Sequence, residues 1–182
     1  MRHRTISVGV LGLLLAAGSA SGQWSADFDG YADGTVLYNV DGWTGWDDDP
    51  ASAGTVSSAQ SSSGPHSIAV GNGYSDAVRQ FSGYTSGQWT LSCQVWVPDD
   101  VDGITYFIVN NEYAHFGPYD WAVVLEIDPG LGLAHESLRD PDGFDGVPIV
   151  YNQWVELSAT FDLDANTAEI SYGGSVIASG VW

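Results

Sequence analysis

The sequence predicts an all-β protein, a sandwich or barrel of antiparallel strands behind an N-terminal leader. Three observations lead there. Polar and apolar residues alternate with period two along most of the chain. Asp-Gly and Gly-Gly pairs punctuate those stretches at short intervals. Beyond the leader, no segment carries the 3.6-residue apolar rhythm of an amphipathic helix.

The elements follow in order. His66 to Val70 and Asp76 to Phe81 are the first strand candidates. Gln88 to Val97 alternates cleanly, with Trp89, Leu91, Cys93, Val95 and Val97 on one side and Thr90, Ser92, Gln94 and Trp96 on the other. Ile104 to Val109 is β-branched and aromatic, and Trp121 to Ile127 is similar. Trp154 to Leu163 sets Val155, Leu157, Ala159 and Phe161 against Glu156, Ser158, Thr160 and Asp162. Thr167 to Tyr172 and Ser175 to Ala178 are two short runs around Gly173-Gly174, which reads as a hairpin turn because paired glycines supply positive φ. Asp-Gly occurs at 29-30, 33-34, 41-42, 102-103, 142-143 and 145-146, further turn chemistry. Ser57 to Gly64 is a Ser-rich loop.

Residues 1 to 22 read as a secretory signal peptide. A basic start (Arg2, Arg4) precedes an apolar run from Ile6 to Ala17 and the small residues Gly18 to Gly22. This run of twelve residues is too short to cross a bilayer, which takes roughly 20 apolar ones. The expected location is therefore secreted, extracellular or at the cell surface. Residues 23 to 182 form one expected domain, long enough to bury a core without disulfides.

Charge excludes several partners. The chain has no lysine, and beyond the leader only Arg79 and Arg139 stand against 23 Asp and Glu, a formal charge of −21. Such a surface repels nucleic acid and anionic membranes, whose phosphates need clustered cations. It also disfavours uronate polysaccharides and the lyases that cleave them. The single cysteine, Cys93, falls on the apolar alternate of its strand and reads as a buried, inert thiol.

Common catalytic patterns are incomplete in this chain. A Gly-x-Ser-x-Gly elbow is absent. His66, His115 and His135 lack zinc-ligand spacing. No catalytic residue is assigned.

Aromatic and oxygen-bearing residues suggest binding instead. Sugar rings stack their C–H faces on Trp and Tyr, while amides and carboxylates take the hydroxyls. Trp96 lies on the polar alternate of its strand. Asn110 to Trp121, with Glu112, Tyr113 and Tyr119, reads as an aromatic, amide-rich connection between two strands and the foremost ligand loop. The expected carbohydrate-binding set is Trp96, Asn110, Glu112, Tyr113, Tyr119, Trp121 and Glu126, with a neutral polysaccharide or glycan as partner. Calcium needs six to eight oxygens. Asp140, Asp142 and Asp145 cluster in one loop, and Asp162 and Asp164 lie at a strand end followed by Asn166. These five Asp are the candidate calcium ligands, with Asp47-Asp48-Asp49 a third cluster. Asp162 to Asn166 does not open an EF-hand loop, since Thr167 stands where Gly is required.

A family resemblance emerges from the order of several pieces. Phe28-Asp-Gly-Tyr, Gly42-Trp43-Thr-Gly-Trp46 and Ser63-Gly-Pro-His-Ser67 come first. Gly87-Gln-Trp89, Val95-Trp-Val-Pro98, Tyr106-Phe107-Ile108 and Trp121 follow. Gln153-Trp154-Val-Glu156, Phe161-Asp-Leu-Asp164 and Tyr172-Gly-Gly174 end the series. The series resembles the concanavalin A-like lectin/glucanase (laminin-G-like) domains of secreted bacterial proteins, over about Phe28 to Trp182. The resemblance implies an antiparallel two-sheet jelly-roll sandwich with one concave sheet. It also implies a closing strand after the Trp182 position, so the chain is expected to be a fragment or to have its final strand supplied otherwise. Glucanases of this family carry Glu-x-Asp-x-Glu, with or without one inserted residue. Glu126-Ile-Asp128 matches the first two carboxylates, on one strand face and roughly 7 Å apart, but Gly130 and Leu131 occupy the places for the third. The leading expectation is a non-catalytic carbohydrate-binding or adhesion module. A glycoside hydrolase using Glu126 and Asp128, and a purely structural extracellular domain, are the alternatives.

Overall fold

The computed structural model describes residues 6–9, 24–71, 75–139 and 145–182. Thirteen strands lie among them: β1 (Ile6–Gly9), β2 (Trp43–Thr44), β3 (Thr55–Ser57), β4 (Ser67–Val70), β5 (Val78–Arg79), β6 (Gln88–Trp96), β7 (Thr105–Tyr113), β8 (Tyr119–Asp128), β9 (Leu133–Glu136), β10 (Val147–Pro148), β11 (Trp154–Asp162), β12 (Thr167–Tyr172) and β13 (Ser175–Val181). The protein is an all-β antiparallel sandwich of two main sheets. One sheet runs β13-β12-β11-β6-β1-β4-β3, the other β10-β9-β8-β7, and β2 and β5 form a small separate pair.

Period-two patterning fixes which face each strand buries. In β6 and β11 the register pairs Cys93 with Leu157, Val95 with Val155 and Leu91 with Ala159. Cys93, Val95, Leu157, Ala159 and Phe161 are buried, while Thr90, Ser92, Gln94 and Trp96 share the opposite face with Thr160, Ser158, Glu156 and Trp154. The second sheet answers with Val123, Leu125 and Ile127 of β8 and Ala134 of β9. Burying an aliphatic side chain is worth about 1.5–3 kcal/mol relative to leaving it exposed, so this shared face is the main stabilising contact.

A second, smaller core gathers Phe28, Leu37, Trp43, Val56 and Ile68 under the N-terminal loops. Arg79 is built into its edge. Its guanidinium lies 4.4 Å from the centroid of Trp24 and donates to the Asp41 carbonyl.

Several strands extend beyond the sequence expectation. Pairing carries β7 to Tyr113 and starts β8 at Tyr119, so most of Asn110 to Trp121 is hairpin rather than loop. Asp76 to Phe81 shortens to Val78–Arg79, which pair with Thr44 and Trp43, while Asp76 makes only an isolated parallel bridge to Ala53. The turn at Gly173-Gly174 has φ of 58° and 81°, the left-handed pair a tight hairpin needs. Cys93 is buried, and desolvation pushes its thiol up to about 12. Of the expected leader, the structure describes Ile6–Gly9, as the strand between β4 and β6; the rest of residues 1 to 22 lies outside the described residues.

The other post-leader arginine joins the sheets. Glu136, 1% exposed, accepts from the amides of Val124 at 3.0 Å and Arg139 at 2.8 Å. The Arg139 guanidinium lies 3.1 Å from the same carboxylate. It also donates to the carbonyls of Ala122 and Val181, tying β8 to the end of β13. Arg139→Ala leaves that carboxylate buried without its cation, and removing one partner of a buried pair costs about 3 kcal/mol. Urea unfolding should show this as a lowered midpoint with an unchanged slope.

Candidate functional site

The β7–β8 hairpin carries an aromatic cluster near its tip. Two register shifts, between Val109 and Asn110 and between Asn110 and Glu112, break the ladder near its tip. Such bulges increase local twist and re-aim side chains. Trp121 lies between them, opposite Asn110, and Tyr113 and Tyr119 lie beyond, joined by a five-residue connection with a cis Gly117–Pro118 bond.

Trp46 is the centre of the cluster. It stacks on Trp121 with centroids 5.5 Å apart and planes 13° from parallel. Tyr113 meets it edge-on at 4.9 Å, and Tyr119 lies tilted at 5.1 Å. Offset stacks and edge contacts are the favoured arrangements of aromatic quadrupoles. Trp121 remains 41% exposed and Phe116, on the connection, 84% exposed. The result is a half-open aromatic surface.

Asp47 locks this surface from the other side. Its backbone N–H donates to the Tyr113 hydroxyl at 2.8 Å. Its Oδ1 accepts from the Tyr119 hydroxyl at 2.5 Å and from the Phe116 amide at 2.8 Å. Bonds to an ionised acceptor are short and strong. Asp47 and Asp48 have φ of 55° and 59°, left-handed values that Asp tolerates better than most residues. The turn Trp46–Asp48 closes over Gly45, where an added Cβ would come within 2.2 Å of the Asp49 carbonyl oxygen and 2.8 Å of the Ala53 amide. Glycine is therefore required by close packing of backbone at that point.

A cavity of about 1200 Å3 among the described residues opens between the sheets beside this cluster. Trp46 and Tyr113 line one part; Trp24, Phe81, Tyr84 and Trp89 line another. Asn110 also lines it, with a buried side-chain oxygen that has no hydrogen-bond partner among the described residues. Trp89 donates to the Ser86 carbonyl and meets Tyr84 edge-on at 4.5 Å.

The expected binding residues separate into groups. Asn110, Glu112, Tyr113, Tyr119 and Trp121 come together on the hairpin. Trp96 lies in the other sheet, on its outer face, 5.9 Å from Trp154. Glu126 sits further along β8, opposite Tyr106 on one side and His135 on the other. Its carboxylate is 3.6 Å from His135 Nε2. Asp128, on the same face, caps its turn by accepting from the Gly130 amide at 2.7 Å. Trp46 and Asp47 are the residues sequence reasoning did not place at the site.

The candidate calcium ligands lie apart. Asp140 and Asp142 fall outside the described residues, and Asp145 is at their margin. Asp162 and Asp164 border a polar depression with Gly87 and Gln88. Asp162 accepts from Gln88 Nε2 at 2.9 Å, Ala165 N at 2.8 Å and Asp164 N at 3.1 Å. The bond from Gln88, then that from Ala165, lowers the carboxyl below its usual range. Among the described residues, no group of three His, Cys, Asp or Glu side chains is placed to hold a metal ion.

Comparison with protein-family models, curated proteins and solved structures finds no match to this chain.

Two outcomes follow from the Asp47 lock. Tyr119 is raised above the ordinary 10.0, first by its hydrogen bond to Asp47; Tyr113 is raised chiefly by burial. Because the folded values exceed the unfolded one, the stability these hydroxyls contribute is fully present below pH 10. It is lost as pH rises through the folded values. Absorbance titration at 295 nm should show late-ionising tyrosines, and Asp47→Ala should bring Tyr119 back towards 10. Gly45→Ala should destabilise the fold by about 1–3 kcal/mol through overpacking, read from the thermal midpoint.

Proposed function

We propose that this protein is a secreted, non-catalytic carbohydrate-binding or adhesion module of the concanavalin A-like jelly-roll class, and that it recognises neutral glycans on the hairpin surface. The observation that carries this reading is the half-open aromatic cluster of Trp46, Tyr113, Tyr119 and Trp121, held by Asp47. Flat aromatic faces suit the apolar C–H faces of pyranose rings. Glu112 and Asn111, both exposed on the same hairpin, supply acceptors and donors for ring hydroxyls.

Charge supports a neutral ligand. The two post-leader arginines are engaged within the fold, which leaves carboxylates as the dominant surface charge. Acidic glycans would meet repulsion. A structural calcium remains part of the proposal at Asp140, Asp142 and Asp145, with the Asp162–Asp164 turn as a second place.

The test is a neutral-glycan array followed by calorimetry on the strongest ligand, each with and without calcium. Binding is expected, and Trp121→Ala should weaken it about 30-fold, the loss of one contact worth about 2 kcal/mol. Absence of binding to every neutral glycan, or unchanged affinity in Trp121→Ala, overturns the reading.

A further inference from the structure

β1 occupies an unusual place for a segment with the composition of a leader. It pairs antiparallel with β4 on one side, Ile6 to Val8 against Val70 to Ile68, and with β6 on the other, Ser7 to Gly9 against Trp96 to Gln94. β4 and β6 therefore run parallel to each other, two strand spacings apart, roughly 9.4–9.8 Å. Without β1 they face one another as two unpaired edges. Unpaired strand edges are templates for further strands.

The gap also lies at the seam between the two cores. Position 8 stands opposite Val95, a member of the main core, and opposite Ile68, a member of the smaller one. Both are almost fully buried. Removing the strand splits a seven-stranded sheet into four strands and two.

We propose that, once the leader is removed, the gap between β4 and β6 is a strand-acceptor site. It takes an extended peptide from another polypeptide, with β-branched apolar and small residues in alternation, antiparallel to both flanking strands. The site's chemistry is set by what already sits there: Ile-Ser-Val-Gly at positions 6 to 9. Backbone pairing on both sides supplies affinity, and the alternate position between Val95 and Ile68 supplies selectivity for an apolar residue. The alternate flanking positions, Gln94, Trp96, Ser67 and Ala69, carry no charge, so a neutral strand suffices. The inference rests on cleavage of the leader and is independent of glycan binding.

The experiment uses the whole chain. A specific protease site replaces Ser19 to Gly22, the protein is folded, cut, and mixed with a labelled hexapeptide Thr-Ile-Ser-Val-Gly-Val. One peptide per chain should enter as the N-terminal fragment leaves, with a matching peptide carrying Val8→Pro at least tenfold weaker, since proline cannot donate to the ladder. In the uncut chain, Val8→Pro should speed amide exchange in Ser67–Val70 and Gln94–Trp96 at least tenfold. Uptake no better than that of the proline peptide overturns the proposal. So does unchanged exchange in those strands, or a cut chain that closes the gap by self-association and ignores the peptide.

Discussion

The β6–β11 ladder is the interaction on which the rest of the molecule depends. Nine residues of each strand pair without a shift, from Trp154 opposite Trp96 to Asp162 opposite Gln88. This places five buried side chains of the two strands on one face and polar partners on the other. A slip of one residue would turn every one of them to the wrong side. β12 and β13 extend the sheet from β11, β1 from β6, and the second sheet packs on the face the ladder presents. The aromatic surface is thus a consequence at one remove: the ladder's dry face holds Val123, Leu125 and Ile127 inward, and the register shift between Val109 and Asn110 separates them from Trp121, which is 41% exposed.

That ladder was also the most legible part of the sequence. Gln88 to Val97 and Trp154 to Leu163 alternate because each strand has one wet and one dry face, and such patterns need no tertiary knowledge. The burial of Cys93 and the turn at Gly173-Gly174 were readable for the same local reasons. The hairpin tip was less so. Asn110 to Trp121 breaks alternation at its two bulges, and a broken period looks like a loop. Asp76 to Phe81 erred the other way: only Val78 and Arg79 form a ladder, while Phe81 meets Trp24 edge-on and Ala77 packs on the smaller core.

The candidate site shows a different limit. Five of the expected binding residues do meet, since they are close in sequence on one hairpin. Trp46 and Asp47 join them from 66 residues upstream. Nothing in Gly45-Trp46-Asp47-Asp48 announces that partnership, because a tight left-handed turn is written in φ and ψ and not in hydrophobic period. Asp47, which could be counted as an acidic cluster member, instead spends its carboxylate on Tyr119 and Phe116. Trp96 is a different case. Alternation correctly places it on the polar face of its strand, in the other sheet and apart from the hairpin cluster.

Arg79 and Arg139 have a wider effect than their local bonds. One is folded over Trp24 against the Asp41 carbonyl, the other clamped on Glu136 and the end of β13. With no lysine in the chain, side-chain amines are missing from the molecular exterior altogether. The only aliphatic amine such a protein offers is its own α-amino terminus. Amine-directed crosslinkers, fluorophores or resins would therefore attach at a single point, giving each molecule one label.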